Sequence, residues 1–171
     1  MAGTFQQAIN YDFGFGIPGE ISRDGPLRAH IGYLLAAGGV TTNNSFGNVF
    51  TLNADGKTVG PGGTGAVWGI LANPKQHVSM GNSNGPLAPN FLLPNNVTAD
   101  FVEFGKVIVP LYGTKAAVAG LQVQFATATG QISIPAAAGT PDAGNTLLAA
   151  TVEDYGQTSE GGALILLKIN L

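Results

Sequence analysis

Apolar and polar residues alternate in short runs along most of this chain, and glycine, proline and asparagine separate one run from the next. The clearest stretch is Phe101–Ile134, FVEFGKVIVPLYGTKAAVAGLQVQFATATGQISI. Its runs are rich in Val, Ile, Phe and Thr and are divided by Gly-containing turns. This predicts an antiparallel meander of strands at Lys106–Leu111, Leu121–Thr127 and Gln131–Ile134. In the middle run Leu121, Val123 and Phe125 alternate with Gln122, Gln124 and Ala126, which predicts one buried face and one polar, uncharged outer face.

The same reading extends in both directions. Ile9, Tyr11, Phe13, Phe15 and Ile17 fall at alternate positions before Pro18-Gly19, so residues 1–19 form either a core or edge strand or an arm whose aromatics dock on a neighbouring subunit. Glu20–Arg28 is a turn-forming loop holding Arg23, Asp24 and Arg28. Leu27–Leu35 alternates loosely and reads as a strand, although a short helix fits nearly as well. Phe46–Leu52 and Thr58–Val59 flank Asn53-Ala54-Asp55-Gly56-Lys57, whose Asp-Gly pair predicts a hairpin. Gly60–Gly65 is a flexible loop leading into Ala66–Ala72, AVWGILA, a buried strand with Trp68. Met80–Asn96 is dense in Gly, Asn and Pro, and a structureless connection of that length is often functional. Val97–Phe104 leads into the meander, Ala136–Asn145 is a loop, Thr146–Glu153 a strand, and Asp154–Gly162 a turn. Ala163–Leu171 is a last strand whose continuous apolar run predicts burial on both faces. About eight to ten strands without a long helical pattern predict an all-β domain over residues 1–171, an antiparallel sandwich, jelly roll or barrel with long Gly/Asn/Pro-rich loops.

Composition changes this picture in one respect. Charged residues make up 10% of the 171, against about 25% in an ordinary soluble domain, while mean hydropathy is +0.22. The exterior must be built from Asn, Gln, Thr, Ser, Gly and apolar atoms, which favours a surface covered by partners. A net charge of −3 with seven scattered Lys and Arg supplies no basic stripe for nucleic acid. Zero Cys removes disulfides and thiolate chemistry. The first residues lack the charged and apolar regions of a signal peptide, and the most apolar run, Ala163–Leu167, is too short to span a membrane.

Groups able to do chemistry are sparse. His30 and His77 stand far apart and outside any metal-ligand spacing. Gly60–Gly65 lacks the Lys-Ser/Thr ending of a phosphate loop, and Asn53 with Asp55 resembles a fragment of a calcium loop without its closing Glu. Neighbouring Glu153 and Asp154 point to opposite faces of a strand and cannot share a substrate. No enzyme and no cofactor is expected.

In their order, FGFGIPGEISRDGPLRA, FGNVF, GAVWGILANP, GKVIVPL, AAVAGLQVQFATATGQI and GGALILLKINL resemble the structural cement, or capsid decoration, proteins of tailed bacteriophages. The resemblance implies a small β-rich protein that assembles as dimers or trimers on the outer surface of the head. There it bridges major capsid protein subunits and reinforces the shell. Two other readings stand beside it. One is a different virion component, in the minor capsid or tail. The other is a carbohydrate-binding β-sandwich module in which Trp68, Tyr11, Tyr33, Tyr112 or Tyr155 stacks on sugar rings. For the cement reading the expected contact residues are Phe13 and Phe15 in the arm, Arg23 and Arg28 in the charged loop, and Asn82, Asn84 and Asn90 in the long loop.

Overall fold

The computed structural model describes residues 15–22, 24–36, 43–73, 92–157 and 163–171. Strands come in the order β1 (Arg28–Leu35), β2 (Val49–Leu52), β3 (Thr58–Pro61), β4 (Val67–Leu71), β5 (Thr98–Tyr112), β6 (Gln122–Ala126), β7 (Ile132–Ser133), β8 (Asn145–Gln157) and β9 (Ala163–Asn170). The expected all-β class holds, with no helix among the described residues. The strand order is β1-β3-β2-β4-β5-β7-β6-β8-β9, and β5 pairs in addition with both β1 and β9. Those two extra pairings close the sheet twice. One circuit runs β1-β3-β2-β4-β5, the other β5-β7-β6-β8-β9, and the 15-residue β5 belongs to both.

Each circuit encloses its own core. Leu35, Phe46, Phe50, Val59, Leu71, Leu93, Ala99 and Phe101 fill the first, where the Phe50 and Phe101 rings lie 5.2 Å apart. Val107, Val109, Val123, Phe125, Ile132, Leu148, Ile165, Leu167 and Ile169 fill the second. Val49, Ile70 and Val102 also face the second core, although their chain neighbours Phe50, Leu71 and Phe101 face the first. A strand sends consecutive side chains to opposite faces, so β2, β4 and the first half of β5 form a wall with a core on either side. This explains why these strands read as unbroken apolar pairs rather than as an alternation. Each large side chain sunk on either face contributes about 1.5–3 kcal/mol.

The two circuits are also joined by backbone. Val49 donates to the Gly130 carbonyl at 2.9 Å and Gly63 to the Thr127 carbonyl at 2.6 Å, while Gly62 donates back to the Val49 carbonyl within the first circuit. Asn48, buried, donates from Nδ2 to the carbonyls of Asn43 and Thr129. The glycines are required here. Gly62 and Gly130 have φ of 68° and 76°, and a Cβ on Gly130 would sit 2.3 Å from the Val49 carbonyl oxygen. The Gly60–Gly65 loop, expected to be flexible, is therefore pinned into the junction.

Several expectations are corrected. The antiparallel meander is not formed, because β7 lies between β5 and β6 and runs parallel to β5. The tight turn at 127–130 folds β7 back on β6, and the long connection after Tyr112 carries β6 past the position next to β5. Gly105 does not divide two strands: β5 is continuous through it, with Gly105 at φ 127°. The polar face expected on β6 is not an outer face at Gln124, which is 1% exposed. Its Nε2 donates to Ser133 Oγ (3.1 Å) and Asp142 Oδ2 (2.5 Å), and its Oε1 accepts from the Asp142 amide (2.8 Å). The loop after β7 folds over Gln124, and Asp142 fixes it there. Asp154 does not begin a turn: β8 continues to Gln157 past a register shift between Val152 and Asp154. The last strand is buried on both faces only at its start, since Lys168 and Asn170 are exposed on either side of buried Ile169.

The Asp55-Gly56 hairpin forms as expected. Asp55 Oδ1 accepts from the amides of Lys57 and Thr58, both at 2.9 Å, and Oδ2 accepts from Thr58 Oγ1 at 2.7 Å. Gly56, at φ 64°, closes the turn by donating to the Asn53 carbonyl.

Candidate functional site

Several of the charges on the described strands are brought together by the fold. Lys106 stands in the middle of β5, and its Nζ donates to Glu153 Oε1 of β8 at 2.7 Å and to Asp24 Oδ2 of the lead segment at 3.1 Å. Its side chain is 20% exposed, while that of Asp24 is 87% exposed. The hydrogen bonds it donates, to Glu153 first and Asp24 second, hold the Lys106 ammonium above its ordinary 10.5. Close by along β5, Arg28 Nε is ion-paired with Glu103 Oε1. The Arg28 guanidinium lies 5.9 Å from the Phe104 ring centroid, and its Nη2 reaches the Leu171 carbonyl at 3.5 Å. Lys168 of β9 is exposed and stands directly opposite Lys106 in the β5–β9 ladder. The result is a charged seam across β1, β5, β8 and β9. Pairs this exposed add little to stability. Charges at a contact instead fix register and exclude wrong partners.

Local chain geometry delivers the seam. Residues 19–22 run antiparallel to β5, with Ile21 opposite Val107, Gly19 donating to the Ile108 carbonyl (2.8 Å) and Ser22 to the Lys106 carbonyl (3.0 Å). After Asp24-Gly25-Pro26 the chain rejoins β5 as β1, pairing Arg28 with Phe104. Asp24 and Arg28 therefore arrive beside Lys106 and Glu103.

Apolar side chains flank this seam. Leu27 is 49% exposed, and Ile17, Leu34, Val118 and Tyr155 are exposed elsewhere. Phe15 packs its ring on Gly156 of β8, where an added Cβ would lie 2.6 Å from Phe15 Cγ. An open cleft of about 500 Å³ lies among Tyr112, Lys115, Tyr155, Gly156 and Ala163. Burial pushes the Tyr112 phenol up, partly offset by its hydrogen bond with Gln131.

Of the expected contact residues, the structure describes Phe15, half-buried against β8, and Arg28, exposed within the seam. Phe13, Arg23, Asn82, Asn84 and Asn90 lie outside the described residues, as does His77. Sequence reasoning missed Lys106, Glu153 and Lys168. Their signal was present: a lone lysine inside GKVIVPL or LILLKINL sits on an otherwise apolar strand, and a cation there needs a carboxylate from elsewhere in the fold. The Asp55 carboxylate, weighed as a calcium fragment, spends its oxygens on the hairpin, and those bonds, the Lys57 amide first, hold it below its ordinary 3.8. Among the described residues no group of three or more His, Asp or Glu is placed to hold a metal. Trp68 is half-buried, with its ring centroid 4.3 Å from that of Tyr33 at a 36° tilt.

Two fused all-β circuits sharing β5 define the class as an all-β, barrel-like protein. The chain belongs to the structural cement protein family of phages, whose model matches residues 5–170. That family is one of structural proteins rather than enzymes. Membership makes this chain a structural component of the virion, associated with the capsid shell. Among solved structures, a chain from a structure titled "The capsid of Myoviridae Phage XM1" superposes with a TM-score of 0.63 at 13% identity, covering 98% of each chain. At that identity the likeness is one of fold. No curated protein matches the sequence.

Proposed function

We propose that this chain is a homo-oligomeric cement protein that sits on the outer surface of a phage head and bridges neighbouring major capsid protein subunits. The observation that carries the reading is the extent of the family match, residues 5–170, which takes in both circuits and the seam together. The fold neighbour comes from a phage capsid structure and is covered over 98% of its length, which supports the same role. The work is done by contact, with no chemical step. Phe13, Phe15, Arg23, Arg28, Asn82, Asn84 and Asn90 are the proposed contact residues, joined now by Lys106 and Lys168 of the seam.

The mechanism is linkage. A protein that binds the assembled shell and not its separated subunits stabilises the shell by RT ln(1 + [L]/Kd), about 2.7 kcal/mol per site at a hundredfold excess over Kd. An oligomer that grips several subunits at once adds avidity through effective concentration.

The test is co-sedimentation of the purified protein with its cognate shells, together with its solution mass by light scattering. Saturable binding, a dimer or trimer that resists dilution and a raised shell melting temperature are the expected results. Absence of binding to intact shells would sink the proposal.

A further inference from the structure

Among the described residues, Lys168 is one cation that the fold leaves uncommitted. Lys106 is held by Glu153 and Asp24, Arg28 by Glu103, and Lys115 Nζ by the carbonyls of Pro135 and Ala136. Lys168 makes no ion pair or hydrogen bond among the described residues, although it faces Lys106 across the ladder and Thr151 on its other side. Like charges directly opposite one another in a sheet are destabilising, an effect that Glu153 and Asp24 partly offset by pairing with Lys106.

Beside Lys168 is a pocket of about 60 Å³, walled by Asp24, Pro26, Phe104, Gly105, Lys106 and Ile169, with the Asp24 carboxylate accepting from Lys106 Nζ. It has roughly the share of liquid volume taken by two water molecules, which is room for the tip of a small aliphatic side chain. Gly105 contributes to its shape, since a Cβ there would press on Leu27 Cδ1 and the Pro26 carbonyl at 3.1 Å. Leu27, half-exposed, stands next to it. A free ammonium at the mouth of an apolar pocket, on the seam of a sparsely charged surface, is complementary to one kind of group.

We infer that Lys168 and this pocket receive a loop of the shell protein that presents an acidic side chain beside a small aliphatic one. The carboxylate pairs with Lys168 Nζ and relieves the Lys106–Lys168 repulsion, while the aliphatic tip enters between Phe104 and Ile169. This rests on the cement reading and names the chemistry of the contact.

The experiment compares wild-type protein with Lys168→Met, which keeps the apolar stem, and Lys168→Glu, which reverses the charge. Binding to cognate shells is measured by co-sedimentation across a salt series, alongside thermal midpoints and solution mass. The expected results are affinity about three- to tenfold lower for Lys168→Met and lower still for Lys168→Glu, a shallower salt dependence, and thermal midpoints unchanged or higher. Wild-type-like binding by both variants would overturn the inference and leave the cement reading standing. A midpoint several degrees lower would assign Lys168 to the fold, and a change in solution mass with shell binding intact would assign the pocket to a second copy. Either result overturns the inference. Failure of the wild-type protein to bind shells would remove the cement reading, and the inference would fall with it.

Discussion

Replacing Gly130 with alanine tests whether the two circuits are held together by backbone contact. Gly130 has φ 76°, and placing an L side chain in that left-handed region costs about 1–2 kcal/mol. Its Cβ would also stand 2.3 Å from the Val49 carbonyl oxygen and 2.9 Å from the Gly62 amide, so turn and strand must part, at a cost of about 1–3 kcal/mol by analogy with overpacking. The total is about 2–5 kcal/mol. Gly139 supplies the control, since it has φ 74° with nothing within 4 Å of an added Cβ. Gly139→Ala therefore carries the backbone term alone. In a domain of this size each kcal/mol moves the melting temperature by about 2–4 °C, so Gly130→Ala is expected to melt about 10 °C below wild type and Gly139→Ala only about 4 °C below. Scanning calorimetry on both variants reads the difference. Equal losses would refute the argument, because they would mean that only conformation, and not the contact with Val49 and Gly62, matters at residue 130.

Two pH effects follow from the charged groups. Asp55 is held below 3.8 by its hairpin bonds, so its contribution is present above pH 3.8 and is lost as pH falls through the lower folded value; Asp55→Ala should flatten that part of a stability-versus-pH curve measured by urea denaturation. Lys106 is held above 10.5 by Glu153 and Asp24, so its contribution is present below 10.5 and is lost as pH rises through the folded value. The wild-type melting temperature is therefore expected to fall at alkaline pH above 10.5, and Lys106→Met to remove that fall.

The all-β class was legible because alternation and turn residues are local. The Asp55-Gly56 hairpin is the best case, since Asn53 through Thr58 contain every group that closes it. The order of strands was not legible. That β7 enters between β5 and β6 depends on pairing Leu111 with Ile132 and Tyr112 with Ser133, and no periodicity in Gln131–Ile134 encodes which strand it will meet. Gln124 misled for a related reason: its place in the alternation marks a polar face, but the cover over that face comes from Asp142, distant along the chain. The seam was half legible. Asp24 and Arg28 stood out as charges in one loop, whereas Lys106, Glu153 and Lys168 join them only when β5, β8 and β9 lie side by side. The family resemblance, carried by the order of motifs, held because that order spans the whole length.

The double closure of the sheet bears on how many copies can be crowded together. With both circuits closed through β5, each described strand has a strand on either side over at least part of its length, and among the described residues neither circuit ends in a wholly unpaired terminal strand. Open edges are what let β proteins zip together and aggregate when they are concentrated. In the proposed role, where the shell would set one copy beside the next, neighbours of this fold are expected to meet mainly through side chains, so that crowding on a lattice need not lead to fibres.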